Sequence, residues 1–270
     1  MMKLAKVCLL AAALVVPSLT ANAHPLWILP SHFTVSKQEG DWIAFDVTAS
    51  HTTFAVDKPA GALEAYVLTP SGKKERPDAV LKGKRRSVFD FFFVEQGTHK
   101  VIQQPKPFYM TTYKSGKRDA ERRARINKAE IAQLPEKARD ISTIKISKIA
   151  ETYITVMAPT KVTAPNKGFA MQPITHPADI VEQSPVTFQF LYDGKPQAGV
   201  EATVTQDGTL YRESQQEIKL TSDSEGKVTF TPNEAGRYLL ATFHTVELEN
   251  NALADKEGTM YRLSFEAQLD

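Results

Sequence analysis

The residue best suited to metal chemistry lies in the stretch Ala21-Asn22-Ala23-His24-Pro25. If the chain is cleaved after Ala23, His24 becomes the first residue of the mature protein. An N-terminal histidine offers both its α-amine and its imidazole to one transition-metal ion, a chelate that no internal histidine can form alone. Pro25 has no amide N–H for a metal to displace, which favours the simple amine–imidazole chelate. Export itself would therefore create the metal ligand.

The start of the chain has the pattern of a cleaved secretory signal. Lys3 and Lys6 give it a positive charge, and residues 7–16 form an apolar run that is too short to span a bilayer. The small residues of Ala21-Asn22-Ala23 suit the signal peptidase. We therefore expect residues 1–23 to be a signal peptide, and the mature protein to be periplasmic and not membrane-spanning.

The mature chain is expected to be close to electrically neutral. The sequence contains 33 Lys+Arg and 31 Asp+Glu, and loss of Lys3 and Lys6 with the signal leaves 31 of each. A nucleic-acid partner would require a clustered basic surface, so the balance argues against one. Because the single cysteine, Cys8, lies in the predicted signal, the mature fold must be held together by core burial without disulfides.

Short alternating segments separated by turn residues predict a mainly β fold. In residues 42–48, Ile43, Phe45 and Val47 alternate onto one face of a strand, and the three phenylalanines of residues 91–93 predict a strand buried on both faces. Residues 186–192 alternate again and run into Asp193-Gly194, a hairpin turn. The spacing predicts two immunoglobulin-like β-sandwich units.

A charged segment separates the two predicted units. Residues 119–126 are helix-prone, and the apolar positions Ile126, Ile131 and Leu134 follow near helical spacing. We therefore expect a short helical insertion here. The predicted organisation is a signal peptide (1–23), an N-terminal β-sandwich (24–115), a helical insertion or linker (116–142) and a C-terminal immunoglobulin-like β-sandwich (143–270).

Several motifs occur in an order that resembles a known family. They are His24 with Trp27 and Pro30, then Ser50-His51-Thr52-Thr53-Phe54 after a strand, then Asp193-Gly194-Lys195-Pro196, and finally Gly236-Arg237-Tyr238. This order resembles the bacterial periplasmic proteins of the DUF4198 family, which are grouped with periplasmic components of cobalt and nickel transport systems. The resemblance implies a β-rich periplasmic protein involved in metal uptake, with nickel, cobalt and iron contexts among the relatives.

Three histidines, His24, His51 and His244, are the predicted metal ligands. His51 follows the strand of residues 42–48 at the point where a loop leaves the sheet, and such loops commonly carry function. His244 ends a strand of the second unit and could complete a site between the units. Imidazole and amine nitrogens suit nickel, cobalt and copper, and the ligand types leave the choice among these metals open.

The sequence contains no HExxH helix motif, no phosphate-binding glycine loop and no G-x-S-x-G elbow, and we predict no catalytic residue. The leading hypothesis is a non-catalytic accessory protein for nickel/cobalt or iron/copper uptake, which passes a metal ion or metal complex to an inner-membrane importer or reductase. One alternative is a structural or adhesion-type β-sandwich module in which His24 is incidental. The other is a copper oxidative enzyme with a histidine brace.

Overall fold

The computed structural model describes residues 25–270, which form a mainly β protein of two immunoglobulin-like sandwich units, as predicted. The predicted signal peptide and His24 lie outside the described residues. In chain order the strands are β1 (Leu26–Pro30), β2 (Thr34–Val35), β3 (Asp41–Ala49), β4 (Lys58–Pro59), β5 (Ala65–Leu68), β6 (Lys74–Glu75), β7 (Val80–Lys82), β8 (Ser87–Phe93), β9 (Gly97–Gln103), β10 (Phe108–Ser115), β11 (Ala120–Ala124), β12 (Arg139–Val156), β13 (Phe169–Pro173), β14 (Val186–Tyr192), β15 (Lys195–Pro196), β16 (Glu201–Gln206), β17 (Ile218–Thr221), β18 (Lys227–Phe230), β19 (Gly236–Glu247) and β20 (Lys256–Ala267). Short 3-10 helices occur at η1 (Lys128–Gln133), η2 (Pro177–Asp179) and η3 (Thr209–Tyr211).

These strands form three sheets. Sheet I has the order β1-β3-β8-β7, with β4 paired to β3. Sheet II has eleven strands and the order β17-β16-β19-β20-β12-β9-β5-β6, with β10 and β2 also paired to β12 and β11 paired to β10. Sheet III has the order β13-β14-β15, with β18 paired to β14. Sheet II is therefore the element that both sandwich units have in common.

Strand β12 joins the two units. It is 18 residues long and pairs with β20 over Ile144–Thr152. Its alternate side chains enter different cores, since Ile154 and Val156 belong to the N-terminal core whereas Tyr153 belongs to the C-terminal one. Successive side chains of a strand point to opposite faces, so the two cores lie on opposite faces of sheet II.

The N-terminal core lies between sheet I and strands β5, β9 and β12 of sheet II. Its centre is formed by the residues that alternate in β3: Ile43, Phe45 and Val47 are all fully buried. Phe45 stacks on Phe89 of the neighbouring strand, with ring centroids 4.8 Å apart. The alternation predicted for this strand is confirmed.

Strand β8 differs from the prediction. Phe91 and Phe93 are buried, but Phe92 between them is 40% exposed on the outer face of sheet I. There it packs against Trp42, with ring centroids 5.3 Å apart. The prediction that residues 91–93 are buried on both faces is therefore wrong. At β8 only the inner face of sheet I packs on the core, so Phe92 faces outwards despite its apolar character.

The C-terminal core lies between sheet III and strands β16, β19, β20 and β12. Val186, Phe188 and Phe190 point into it from β14, as their alternation predicts. The hairpin turn after β14 is also confirmed, because Asp193 (φ 49°) and Gly194 (φ 72°) both adopt the left-handed conformation of a two-residue turn.

The segment between the units is largely extended. Residues 119–126 were predicted to be helical, but Ala120–Ala124 form β11, which pairs with β10. The only helix in this segment is η1, whose cap Asn127 accepts a 2.9 Å hydrogen bond from the Ala129 N–H. Helix propensities differ by a few tenths of a kcal/mol per residue, and short helices are marginal alone. Pairing with an already anchored strand outweighs that preference. Strand β12 begins at Arg139, within the predicted insertion, and the predicted unit boundaries stay a prediction.

Candidate functional site

A polar cavity of about 140 Å³ lies where the start of β1 meets the end of β3 and one face of sheet II. One side of the cavity consists of Pro25, which precedes β1, and of Ser50, His51 and Thr53 in the loop after β3. Strands β16, β19 and β20 form the floor, and the loop before β17 forms the remaining side. The cavity therefore includes the first described residue and one predicted ligand.

The strand ladder holds Pro25 against the loop that carries His51. Strands β1 and β3 are antiparallel, and Leu26 lies opposite Ala49. One step further along, the N–H of Ser50 donates a 2.9 Å hydrogen bond to the carbonyl oxygen of Pro25. Pro25 is the residue after His24 in the sequence, and Ser50 is the residue before His51. The ladder thus places the direct neighbours of two predicted ligands side by side.

His51 is the exposed residue of a tightly held turn. The N–H of Thr52 donates to Ser50 Oγ at 3.1 Å, which fixes the first half of the turn. In the second half, Phe54 packs edge-on against the buried Trp27, with ring centroids 5.4 Å apart. The turn is therefore anchored on the protein interior, and the exposed His51 lines the cavity.

The floor of the cavity contains a cation from the last strand. Across the sheet, Thr203 lies opposite Ala241, which lies opposite Arg262. Nη1 of Arg262 donates to the carbonyl oxygens of Thr242 (3.0 Å) and Tyr261 (2.9 Å). Burial of this side chain lowers the pKa of its guanidinium to about 10. Within residues 25–270, no carboxylate lies within ion-pair distance of it.

The loop between β16 and β17 adds an amide and a carboxylate at the mouth of the cavity, Gln215 and Glu217, both exposed. The guanidinium of Arg212 donates to two backbone carbonyl oxygens at the start of this loop, at 2.7 Å each. Thr209 Oγ1 donates to the carbonyl oxygen of Thr53 at 3.3 Å. This last bond ties the loop to the turn that carries His51, so both sides of the cavity are held together.

The structure does not bring His244 to this cavity. In β19, Leu239 and Ala241 line the cavity, whereas Leu240 belongs to the C-terminal core. By alternation His244 lies on the core face, and there its ring stacks on Phe169 at 4.8 Å between centroids. Burial lowers the pKa of His244. Sheet II lies between His244 and His51, so the structure does not bring these two imidazoles together.

The part of the chain that the structure describes contains no group of three or more His, Cys, Asp or Glu side chains that could hold a metal ion. His99 is buried against Phe93, and His176 caps η2 through its Nδ1. Of the three predicted ligands, His51 lines the cavity, His244 lies on the core face of sheet II, and His24 lies outside the described residues.

Sequence reasoning did not predict Arg262 or Glu217 as site residues. In β20 the alternation of Tyr261 and Leu263 assigns Arg262 to the face opposite the core, which a simple sandwich leaves to solvent. Pro25 and the His51 turn lie over this face and line the same cavity as Arg262. Since that packing is non-local, no short sequence pattern reveals it.

Comparison with models of known protein families identifies the family of this chain. A family model described as Domain of unknown function (DUF4198) matches residues 21–246. The chain belongs to the DUF4198 family. The match confirms the resemblance found in the sequence and covers His24, His51 and His244, but it ends before Arg262. The description of DUF4198 assigns no function.

No curated protein matches this DUF4198 chain. Solved structures that are similar to it include the D0-D1 domain of intimin (11% identity, 89% of this chain and 97% of that chain, TM-score 0.23). Others are trypsin-activated alpha-2-macroglobulin from Escherichia coli (9% identity, 91% and 16%, TM-score 0.23) and the T6 backbone pilin of Streptococcus pyogenes (10% identity, 90% and 52%, TM-score 0.19). At these TM-scores none of them bears on function. None of the helices within residues 25–270 is long and apolar enough to cross a membrane.

Proposed function

We propose that the mature protein is a non-catalytic periplasmic accessory protein that binds nickel, cobalt or copper and passes it to an inner-membrane importer or reductase. The ligands are the α-amine and imidazole of His24 and the imidazole of His51. The observation that supports this most directly is the 2.9 Å hydrogen bond from Ser50 N–H to the Pro25 carbonyl, because it joins the neighbours of both ligands.

The donor set suits a transition metal that is carried and released. Three nitrogens from two residues favour first-row transition metals over calcium or magnesium, which prefer oxygen cages. Three protein donors also leave coordination positions open, and His51 is exposed. An accessible, incompletely coordinated ion can exchange to a partner, whereas a closed structural site retains its ion.

The first experiment uses protein purified from the periplasm of an exporting host. Mass spectrometry should find His24 as the first residue, and calorimetric titration with nickel, cobalt and copper should find one tight site per chain. Affinity should fall as the pH is lowered, because an imidazole and an α-amine must lose their protons to bind a metal. A different N-terminus, or no metal binding by a His24-initiated chain, contradicts the proposal.

Three variants identify the ligands. A methionine placed before His24 and the substitution His51→Ala should each weaken binding by more than the roughly 10- to 100-fold that loss of an outer-shell group costs. His244→Phe is the matched control, since it removes an imidazole on the opposite face of sheet II but keeps a ring against Phe169. Equal losses in His51→Ala and His244→Phe would contradict the assignment of His51.

A further inference from the structure

Positive charge is concentrated in the segment that joins the two sandwich units. Residues 106–148 contain twelve Lys and Arg but only five Asp and Glu, whereas residues 149–270 contain nine Lys and Arg and seventeen Asp and Glu. The neutral balance of the whole chain therefore hides a strong division of charge. A surface with so large an excess of one sign attracts a partner of the opposite sign, so this segment favours a polyanion.

The fold displays this charge on a two-stranded ribbon at the edge of sheet II. Residues 108–125, called the basic ribbon here, comprise β10, a turn and β11, and β11 pairs with β10 alone. Arg122 and Arg123 are exposed neighbours on β11, so their side chains point to opposite faces of the ribbon. Lys117 and Arg118 are exposed in the turn at its tip. The basic ribbon therefore presents cations on both faces and at its end, which suits a partner with many mobile negative charges better than one with a few fixed carboxylates.

One face of the basic ribbon continues across sheet II as a strip of apolar side chains. Phe243 of β19 lies opposite Met260 of β20, which lies opposite Lys148 of β12. Phe108 of β10 lies opposite Ile146, two residues before Lys148, and therefore shares this face. Phe243 is 39% exposed, and none of Phe243, Met260 and Phe108 belongs to a buried core cluster. This apolar strip, formed by Phe243, Met260 and Phe108, is therefore partly open to solvent.

Three cations lie beside the apolar strip on the same face. The Arg125 guanidinium and the Lys148 ammonium both lie over the ring of Phe108, at 4.7 and 5.9 Å from its centroid. Arg262 follows Met260 by two residues in β20, so its side chain points to this face as well. Burial, and then the charges of Arg125 and Arg262, lower the pKa of Lys148. An anion bound among these cations would relieve their mutual repulsion.

From these observations we infer that the basic ribbon and the apolar strip dock the protein on a membrane surface that contains anionic lipids. The lipid phosphates accept hydrogen bonds from the arginines and lysines, and Phe243 enters the apolar layer beneath the headgroups. Cations and exposed apolar side chains on one surface are the combination that binding at a membrane interface uses. A soluble polyanion, such as nucleic acid or an acidic polysaccharide, has no apolar layer and would leave Phe243 without a partner. The inference uses none of the proposed metal ligands and is independent of the proposed function.

The test measures cosedimentation of the exported protein with lipid vesicles. The protein should bind vesicles made of phosphatidylcholine and phosphatidylglycerol in equal amounts more tightly than vesicles of phosphatidylcholine alone, and added salt should weaken this binding. Arg125→Gln and Lys148→Gln should each weaken binding about fivefold, the effect of one cation at an anionic membrane. Phe243→Ala should weaken it about three- to tenfold, because less apolar surface enters the bilayer. A wild-type protein that shows no preference for the anionic vesicles overturns the inference.

Matched variants test the surface itself. Phe92→Ala removes a phenylalanine of almost equal exposure (40%) from the outer face of sheet I, and Lys195→Gln removes an exposed cation from sheet III, on the opposite side of sheet II. Both should bind vesicles like the wild type. Equal losses in Phe92→Ala and Phe243→Ala, or in Lys195→Gln and Arg125→Gln, overturn the inference.

Two further measurements separate the membrane from folding defects and from soluble polyanions. Arg125→Lys keeps the charge and should keep most of the vesicle binding, whereas a loss as large as that in Arg125→Gln contradicts the electrostatic role of Arg125. Dextran sulfate has no apolar layer, so Phe243→Ala and the wild type should bind it equally. If Phe243→Ala and the wild type also bind the anionic vesicles equally, the surface recognises charge alone and the membrane inference is overturned.

Discussion

Lys100 and Arg262 are cations on opposite faces of sheet II, and they differ in whether a carboxylate balances their charge. Lys100 Nζ lies 2.9 Å from Glu151 Oε2, and both side chains are almost fully buried. Tyr261 donates to the same carboxylate oxygen at 2.6 Å. Burial alone would lower the pKa of Lys100, but the attraction of Glu151 outweighs it and raises that pKa. Among residues 25–270, Arg262 has no carboxylate partner, and its Nη1 donates to the backbone carbonyl oxygens of Thr242 and Tyr261 instead.

Removal of one partner of the Lys100–Glu151 pair should be strongly destabilising. We expect Lys100→Met to lower the free energy of unfolding by about 3–5 kcal/mol, because the Glu151 carboxylate is left buried without a counter-charge. Urea denaturation followed by circular dichroism measures this loss. The double variant Lys100→Met/Glu151→Gln should be more stable than Lys100→Met, since a neutral amide can still accept the Tyr261 hydrogen bond. A double variant that is less stable than the single one would contradict this account.

At the scale of elements, the turn before β18 depends on a glycine for two separate reasons. Gly226 has φ +72°, and a Cβ there would lie 2.6 Å from the carbonyl oxygen of Phe190 and 2.8 Å from the nitrogen of Gln197. Gly199 has the same φ but no atom within 4 Å of the corresponding position. The pair therefore separates the cost of a left-handed backbone from the cost of a steric clash with backbone.

We expect Gly199→Ala to lower the free energy of unfolding by about 1–2 kcal/mol, the cost of a left-handed conformation for an L-residue. Gly226→Ala should cost a further ~1–3 kcal/mol, because the backbone of β14 must move to admit the methyl group. Urea denaturation of the two variants gives the difference. Equal free energies of unfolding for the two variants would contradict the predicted steric cost, because the β14–β15 hairpin would then admit the methyl group without losing stability.

The sequence predicts those elements whose pattern is local. The alternation of β3 and β14 predicts their buried faces correctly, because each of these strands packs one face on a core. Strand β11 is missed, since its conformation depends on pairing with β10 and not on its own helix propensity. The exposure of Phe92 is missed for a related reason: apolar character does not reveal whether a second layer covers the strand.

In the candidate site too, local patterns are predicted from the sequence and non-local contacts are not. The sequence predicts His51 as a site residue because it follows a strand. The sequence alone does not show that the pairing of β1 with β3 places Pro25 beside the loop that carries His51. His244 also ends an apolar run, but its face is set by the register of β19 within sheet II. Arg262 lies 237 residues after Pro25 in the chain, and only folding brings them to one cavity.

At the scale of the whole molecule, the shared sheet determines how the units unfold. Two sandwiches joined by a linker can melt independently, but here β12 contributes Ile154 to one core and Tyr153 to the other. Loss of either core exposes one face of the same sheet. Trp27 of β1 adds to this coupling, since it belongs to a buried cluster that includes Leu239 of β19. Local opening of one unit should therefore destabilise its neighbour.

A core substitution in one unit tests this coupling through a probe in the other. Phe188 is fully buried in the C-terminal core, whereas the two tryptophans, Trp27 and Trp42, lie on strands of sheet I. We expect Phe188→Ala to lower the free energy of unfolding by about 3–5 kcal/mol. Tryptophan fluorescence and circular dichroism should report the same shifted midpoint in urea, as one cooperative transition requires. Phe45→Ala in the N-terminal core is the matched variant and should shift both probes together as well. If Phe188→Ala shifts the circular dichroism midpoint but leaves the fluorescence midpoint in place, the two units unfold separately and the shared strand does not couple them.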